Sequence, residues 1–232
     1  MIHYVSIVII SLETLRFYGK CYTKWLKFYI LLCYTKFSKY LRKGVTMSKL
    51  ICVVCGMEIN KVNYSFNKEA FAQVNSPDNI KFCPFCGAVA DYLIEDGREL
   101  NYDEVNLNDN ALTIIDHAIK LEIFNGDFYK KASKIVKNHE TKKMFEALSR
   151  IEFMHARIHK KIGGFKVDPV LRDMDYSKYD SDKVLLDMAC KREKHAVEYY
   201  HKYEKDIEDE TIKKVFEVLS SVEKEHIELT SK

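Results

Sequence analysis

Proline is almost missing from this chain, with three residues in 232, and glycine is sparse at eight. Pro77, Pro84 and Pro169 leave 85–168 and 170–232 without a proline break, which disfavours a many-turned β fold and favours long helices. Convincing membrane spans are also lacking. The apolar runs Val5 to Leu12 and Trp25 to Tyr34 are short and are interrupted or bounded by Ser6, Ser11, Glu13 and Lys27. No basic region precedes the first run and no small-residue cleavage site follows it, so a secretory signal is not indicated. A large charge of one sign is absent too, the net balance being +3. After residue 46 there are 29 basic against 33 acidic residues, which suits no nucleic-acid partner. What is present, 47% hydrophobic and 31% charged residues, describes a globular protein with one sizeable core and room for a small module.

Residues 1–46 stand apart. They hold eight Lys/Arg against Glu13, six of the fifteen tyrosines and the single Trp25. Lys20, Lys24 and Lys27 alternate with Tyr22, Trp25 and Phe28, so a basic amphipathic extension is one reading. We expect instead that this stretch is upstream sequence, with translation starting at Met47. Arg42-Lys43-Gly44-Val45 can be encoded by a purine-rich run resembling a ribosome-binding site just before that methionine.

Of seven cysteines, four form two C-x-x-C pairs, Cys52/Cys55 and Cys83/Cys86, each followed by glycine and separated by 27 residues. Such pairs put two thiolates about a tight turn, and four thiolates close a tetrahedron around a soft divalent ion. This usage fits a reducing, cytoplasmic compartment. Between the pairs, Tyr64 to Phe66 and Phe71 to Val74 alternate like short strands, with 75–79 as a turn and Ile80 to Phe82 returning. So small a module (47–100) needs its metal for stability. Iron and zinc both suit the four sulfurs.

Residues 101–232 read as four helices. The first is predicted from an N-cap among Asn106 to Asp109 to about Asn138, with Ala111, Ile115, Ala118, Glu122, Asn125, Tyr129, Ala132 and Val136 inward. The second, from about Thr141 to Ile162, turns Phe145, Leu148, Glu152, His155 and Ile162 inward and stops at Gly163-Gly164. The third starts near Ser181-Asp182 with Leu186, Ala189, Glu193, Ala196, Tyr200, Tyr203 and Ile207 inward; the fourth carries Phe216, Leu219, Glu223 and His226. The pattern F-E-x-L-S-x-[I/V]-E-x-x-H occurs at Phe145 to His155 and again 71 residues on, at Phe216 to His226. The same offset maps Ala118, Glu122 and Tyr129 onto Ala189, Glu193 and Tyr200, so a whole helix hairpin is duplicated. The expected fold is mainly α: a four-helix bundle with one long crossover, preceded by a small β-rich four-cysteine module.

Glu122, Glu152, Glu193 and Glu223 thus share a core with His155 and His226. Burying one unpaired carboxylate costs on the order of several kcal/mol. Two divalent cations offset four carboxylates, and neutral imidazoles complete the ligand set. Glu146, Glu217 and Glu225 are expected to be solvated. His117, His139, His195 and His201 are expected at the surface or in ordinary packing, while His159 lies one turn from His155.

One Glu on each of two helices with E-x-x-H on each of the other two resembles the ferritin-like di-iron carboxylate proteins. Joined to a four-cysteine module, residues 52–232 resemble the rubrerythrins, with the module first as in reverse rubrerythrins. The resemblance implies two iron ions held by the six Glu and His residues, a rubredoxin-like iron or zinc-ribbon zinc on the four cysteines, and Tyr129 and Tyr200 as hydrogen-bond donors to the Glu122 and Glu193 carboxylates. It implies reduction of hydrogen peroxide or dioxygen, electrons from a reduced donor protein relayed through the four-cysteine centre, a homodimer, and no membrane partner. Rubrerythrins carry a further Glu one turn after the third-helix ligand; this chain has Ala196 there. Two rival functions stay open: ferroxidase or iron storage, which needs a hollow shell, and a non-enzymatic metal-binding module with structural zinc.

Overall fold

Side-chain caps set where the helices begin. In the computed structural model, which describes residues 49–95, 97–105 and 107–231, Asn108 accepts from the Ala111 N–H and opens α1 (Asp109–Ala132). The expectation for residues 1–46 lies outside the described residues. Asn138 accepts from Glu140 and Thr141 to open α2 (His139–Ile162), and Asp209 does the same for α4 (Glu210–Thr230) through Thr211 and Ile212. Helix α3 (Asp182–Tyr203) begins after Ser181. Gly164 takes the left-handed φ of +66° that ends α2, its N–H bonded to the Lys161 carbonyl.

α1 ends six residues earlier than its apolar spacing predicts. Its last turn tightens through Lys134 N–H to Lys131 and Ile135 N–H to Ala132, and Asn138 is needed in extended conformation as the next cap. The Asp182 carboxylate accepts from the Lys137 and Asn138 N–H groups at 2.8 Å each, clamping this connection to the start of α3. In α3 the buried row is Leu185, Ala189, Glu193, Ala196 and Tyr200; Leu186 is only half-buried at its edge.

Helices α1 and α2 pack side by side, as do α3 and α4, with short connections inside each pair and residues 163–181 crossing between them. This is the four-helix bundle with one crossover. Ahead of it, β1 (Leu50–Cys52) pairs antiparallel with β2 (Glu58–Ile59) and β3 (Leu93–Glu95), in the order β2-β1-β3, with Ile51 opposite Glu58 and Ile94. The strands predicted around 64–66 and 71–74 do not form. Asn75 organises that segment instead: its amide donates to the Tyr64 and Phe82 carbonyls and its oxygen accepts from the Lys81 N–H. Such local side-chain bonding offers the backbone an alternative to a ladder.

The module and the bundle share their cores. Cys83, Cys86 and Ala88 pack in one cluster with Ile158, Val218 and Leu219, and Phe71 and Phe82 join Phe128 and Leu148 in another. Arg150 of α2 reaches back to the Asn67 side chain at 2.7 Å. Among the described residues no helix is long and apolar enough to cross a membrane.

Candidate metal centres

The two C-x-x-C-G turns bring all four sulfurs together. Cys52 and Cys86 Sγ atoms are 3.7 Å apart, Cys55 and Cys83 are 3.6 Å apart, and all four lie within 4.8 Å of one another. A tetrahedral ion with metal–sulfur bonds of about 2.3 Å requires sulfur–sulfur edges of about 3.8 Å. Gly56 and Gly87 have φ of +73° and +80°, and their N–H groups close onto the Cys52 and Cys83 carbonyls. The other three thiols donate to Cys52 and hold it well below the usual thiol range. Burial pushes Cys83 up, and the neighbouring sulfurs do the same to Cys86. A soft divalent cation is the partner that offsets the charge of converging thiolates.

The second cluster lies inside the bundle. Glu122 of α1, Glu152 and His155 of α2, Glu193 of α3, and Glu223 and His226 of α4 are all fully buried. They form two overlapping groups, Glu122/Glu152/His155/Glu223 and Glu152/Glu193/Glu223/His226. Glu152 and Glu223 belong to both. Glu223 faces both imidazoles, with Oε1 2.9 Å from His155 Nδ1 and Oε2 2.8 Å from His226 Nδ1. His226 Nδ1 is also 3.3 Å from Glu152. The two rings are nearly parallel, 14° between planes and 6.3 Å between centres.

Most of these atoms have no hydrogen-bond partner within the protein. Glu122 Oε2, both Glu152 oxygens, Glu193 Oε2, Glu223 Oε1 and His155 Nδ1 are buried and unsatisfied; the last two face each other but are misaligned for a hydrogen bond. Each such group costs about 1–3 kcal/mol, more when charged. Burial, then neighbouring carboxylates, push Glu122, Glu152 and Glu193 well above the usual carboxylate range. Burial acts against Glu223 as well, but His155 and His226 hold it well below. Converging lone pairs and carboxylates that cannot all ionise unaided are what a pair of cations satisfies, so the residues fit a di-metal centre.

Hydrogen bonds from outside the cluster fix its members. Tyr129 and Tyr200, both fully buried, donate across the bundle: Tyr129 of α1 to Glu193 of α3, and Tyr200 of α3 to Glu122 of α1. Seven residues on from the Glu of its own helix, each phenol finds its partner on the other. His159, also fully buried, reaches the Tyr200 hydroxyl at 2.7 Å. Since that hydroxyl donates to Glu122, His159 Nε2 carries the proton and donates to it. Burial, aided by His155, pushes His159 down to about 3, so the ring is neutral. His117, His139, His195 and His201 are exposed.

Sequence spacing alone does not disclose the link between the centres. His155 Nε2 lies 2.9 Å from the Cys86 carbonyl oxygen. As the carbonyl only accepts, Nε2 carries a hydrogen, which leaves Nδ1 facing the carboxylates as the nitrogen that, once deprotonated, can bind a metal. The position of the glycine-flanked second knuckle, docked against Val222 of α4, makes this contact.

A four-helix bundle with a buried Glu/His cluster of this kind defines a ferritin-like protein with a candidate di-metal site. The family model for rubrerythrin matches residues 113–178 and 185–232, and the helical region belongs to the rubrerythrin family. No curated protein and no solved structure matches the chain.

Proposed function

We propose that this chain is a di-iron oxidoreductase that reduces hydrogen peroxide or dioxygen, taking electrons from a reduced donor protein through an iron held by Cys52, Cys55, Cys83 and Cys86. The observation that carries this reading is the His155–Cys86 hydrogen bond, which joins a ligand residue of one centre to the backbone of a ligand residue of the other within one chain. Two irons held by the six Glu and His residues would supply the electrons that break the O–O bond. Reduction of peroxide to two waters also needs two protons. The His159–Tyr200–Glu122 chain holds a tyrosine proton at the edge of the cage. Tyr129 and Tyr200 orient Glu193 and Glu122, and the fully buried cage excludes bulk water from the reacting atoms.

Peroxide consumption by the iron-loaded protein with a reduced donor tests the activity, and a rate no greater than that of free iron would overturn it. The visible absorption of a ferric thiolate centre tests the relay. A colourless protein with one zinc on the four cysteines would remove it and leave that site a structural clip.

A further inference from the structure

A groove of about 830 Å³ lies between α1 and α3, with Lys120, Phe124, Arg172, Lys191 and Arg192 in its walls. Two of its cationic side chains, one from each helix, are held in place: Arg192 stacks 4.3 Å over the Phe124 ring and bonds to the Tyr176 hydroxyl at 2.8 Å, and Lys120 pairs with Asp116 at 2.5 Å. One lining residue is unlike the rest. Asn125 is 3% exposed, and its Nδ2 has no hydrogen-bond partner. It stands one turn beyond Glu122 on α1, on the inward face of the helix. Its neighbour one turn back on that face is Glu122 of the cage, and its other side lines the groove. The amide therefore lies between the groove and the cage.

The internal repeat supplies a control. At the offset of 71, Asn125 corresponds to Ala196, which is fully buried at the equivalent place on α3. A small apolar residue thus fits the position, whereas a buried amide without a partner costs about 1–3 kcal/mol. The polar side chain stands in one half alone, and its amide has two N–H donors, so even one turned toward Glu152 leaves the other for a ligand that is not part of the chain.

We infer that Asn125 is a specificity-determining hydrogen-bond donor to a small anionic or peroxidic ligand of the metal pair, which enters through the cationic groove between α1 and α3. This rests on the di-metal reading of the cage but not on any particular turnover. A donor at this place holds the end of a linear diatomic or triatomic ligand that is not bound to metal. The basic groove raises the local concentration of small anions at its mouth.

Azide is the probe. The full-length, iron-loaded, oxidised protein is titrated with azide, and binding is followed by the charge-transfer change in its visible spectrum, with iron content measured on the same samples. Asn125→Ala, which copies the other half of the repeat, and Asn125→Leu, which keeps the branched shape without the N–H, should each bind azide about tenfold more weakly, the worth of one hydrogen bond to a charged ligand, with iron content unchanged. Unchanged azide affinity in both variants overturns the inference. So does loss of iron from Asn125→Ala, since Asn125 would then be a support of the cage itself. A wild-type protein that takes up no iron in the bundle would sink the di-metal reading and this one with it. A protein that binds iron and azide but does not reduce peroxide would overturn only the proposed activity.

Discussion

Removing one oxygen atom from each of two equivalent tyrosines should have unequal effects. Tyr129 and Tyr200 occupy the same place in the duplicated hairpin, both are fully buried, and each donates to a cage carboxylate on the opposite pair. Tyr129→Phe orphans a Glu193 oxygen, a loss of about 1–3 kcal/mol. Tyr200→Phe does the same to Glu122 and also strips His159 Nε2 of its acceptor. His159 Nδ1 already has no partner, so the fully buried ring would be left without a hydrogen bond. That adds about 1–3 kcal/mol. For a domain of this size, roughly 2–4 °C of melting temperature accompanies each kcal/mol, so Tyr200→Phe should melt about 2–12 °C below Tyr129→Phe.

Equilibrium urea denaturation and thermal melts of both variants, chelator-treated and iron-loaded, measure this. Metal ligation compensates Glu122 and Glu193 alike, so the gap between the variants should persist in the loaded protein. Adding His159→Leu to Tyr200→Phe should recover part of the loss, because replacing both partners by apolar groups removes the orphan. Equal costs for the two single variants, or a greater cost for Tyr129→Phe, would refute the assignment of His159 as donor to Tyr200.

The remaining predictions concern charge and docking. Glu122, Glu152, Glu193, His155 and His226 have raised pKa values, so their contribution to stability is present at low pH and is lost as pH rises; Glu223, held low, works the other way. Chelator-treated protein should therefore lose stability as pH rises above the ordinary carboxylate value of 4.5, whereas iron-loaded protein should lose it on acidification, as protons compete for the ligands; melts across pH check both signs. Cys83→Ser should cost the chain one metal ion while the cage keeps its pair, read by elemental analysis. Gly87→Ala puts a Cβ 2.5 Å from a Val222 methyl at a φ of +80°, and should destabilise the protein and increase protease cleavage within 50–95.

Most of the cage was legible because helical period and internal repetition are local properties of the chain. The offset of 71 paired each E-x-x-H with an inward Glu, and all six residues are buried together. The four cysteines were legible for the same reason, their spacing being set by the turn chemistry of each knuckle. What escaped depends on side chains acting on distant or neighbouring backbone. The strand pattern at 64–74 gave no hint that Asn75 would bond to Tyr64, Lys81 and Phe82. The clamp of Asp182 on Lys137 and Asn138 spans 45 and 44 residues. The crossed tyrosine bonds and the His155–Cys86 contact follow from how the hairpins and the module pack, which no spacing encodes. Asn125 could have been found: it is the polar residue at an inward position whose repeat partner, Ala196, is apolar.

The duplication would by itself make the two metal positions equivalent, and every departure from it makes them differ. At the first, His155 is tied to the module through the Cys86 carbonyl, while His226 Nε2 has no partner. Glu122 is bonded to a tyrosine that itself accepts from His159, whereas the equivalent of His159 at the second position is Thr230, which bonds the His226 carbonyl of its own helix. A hydrogen bond from the far nitrogen of an imidazole ligand raises its basicity, and an added donor on a tyrosine makes it a better donor to its carboxylate. Two bound irons should therefore be inequivalent. Iron-57 Mössbauer spectra of the loaded protein should resolve two cage doublets of equal area, and His159→Leu should move one and leave the other. A single cage doublet in the wild type would show that these bonds do not reach the metals.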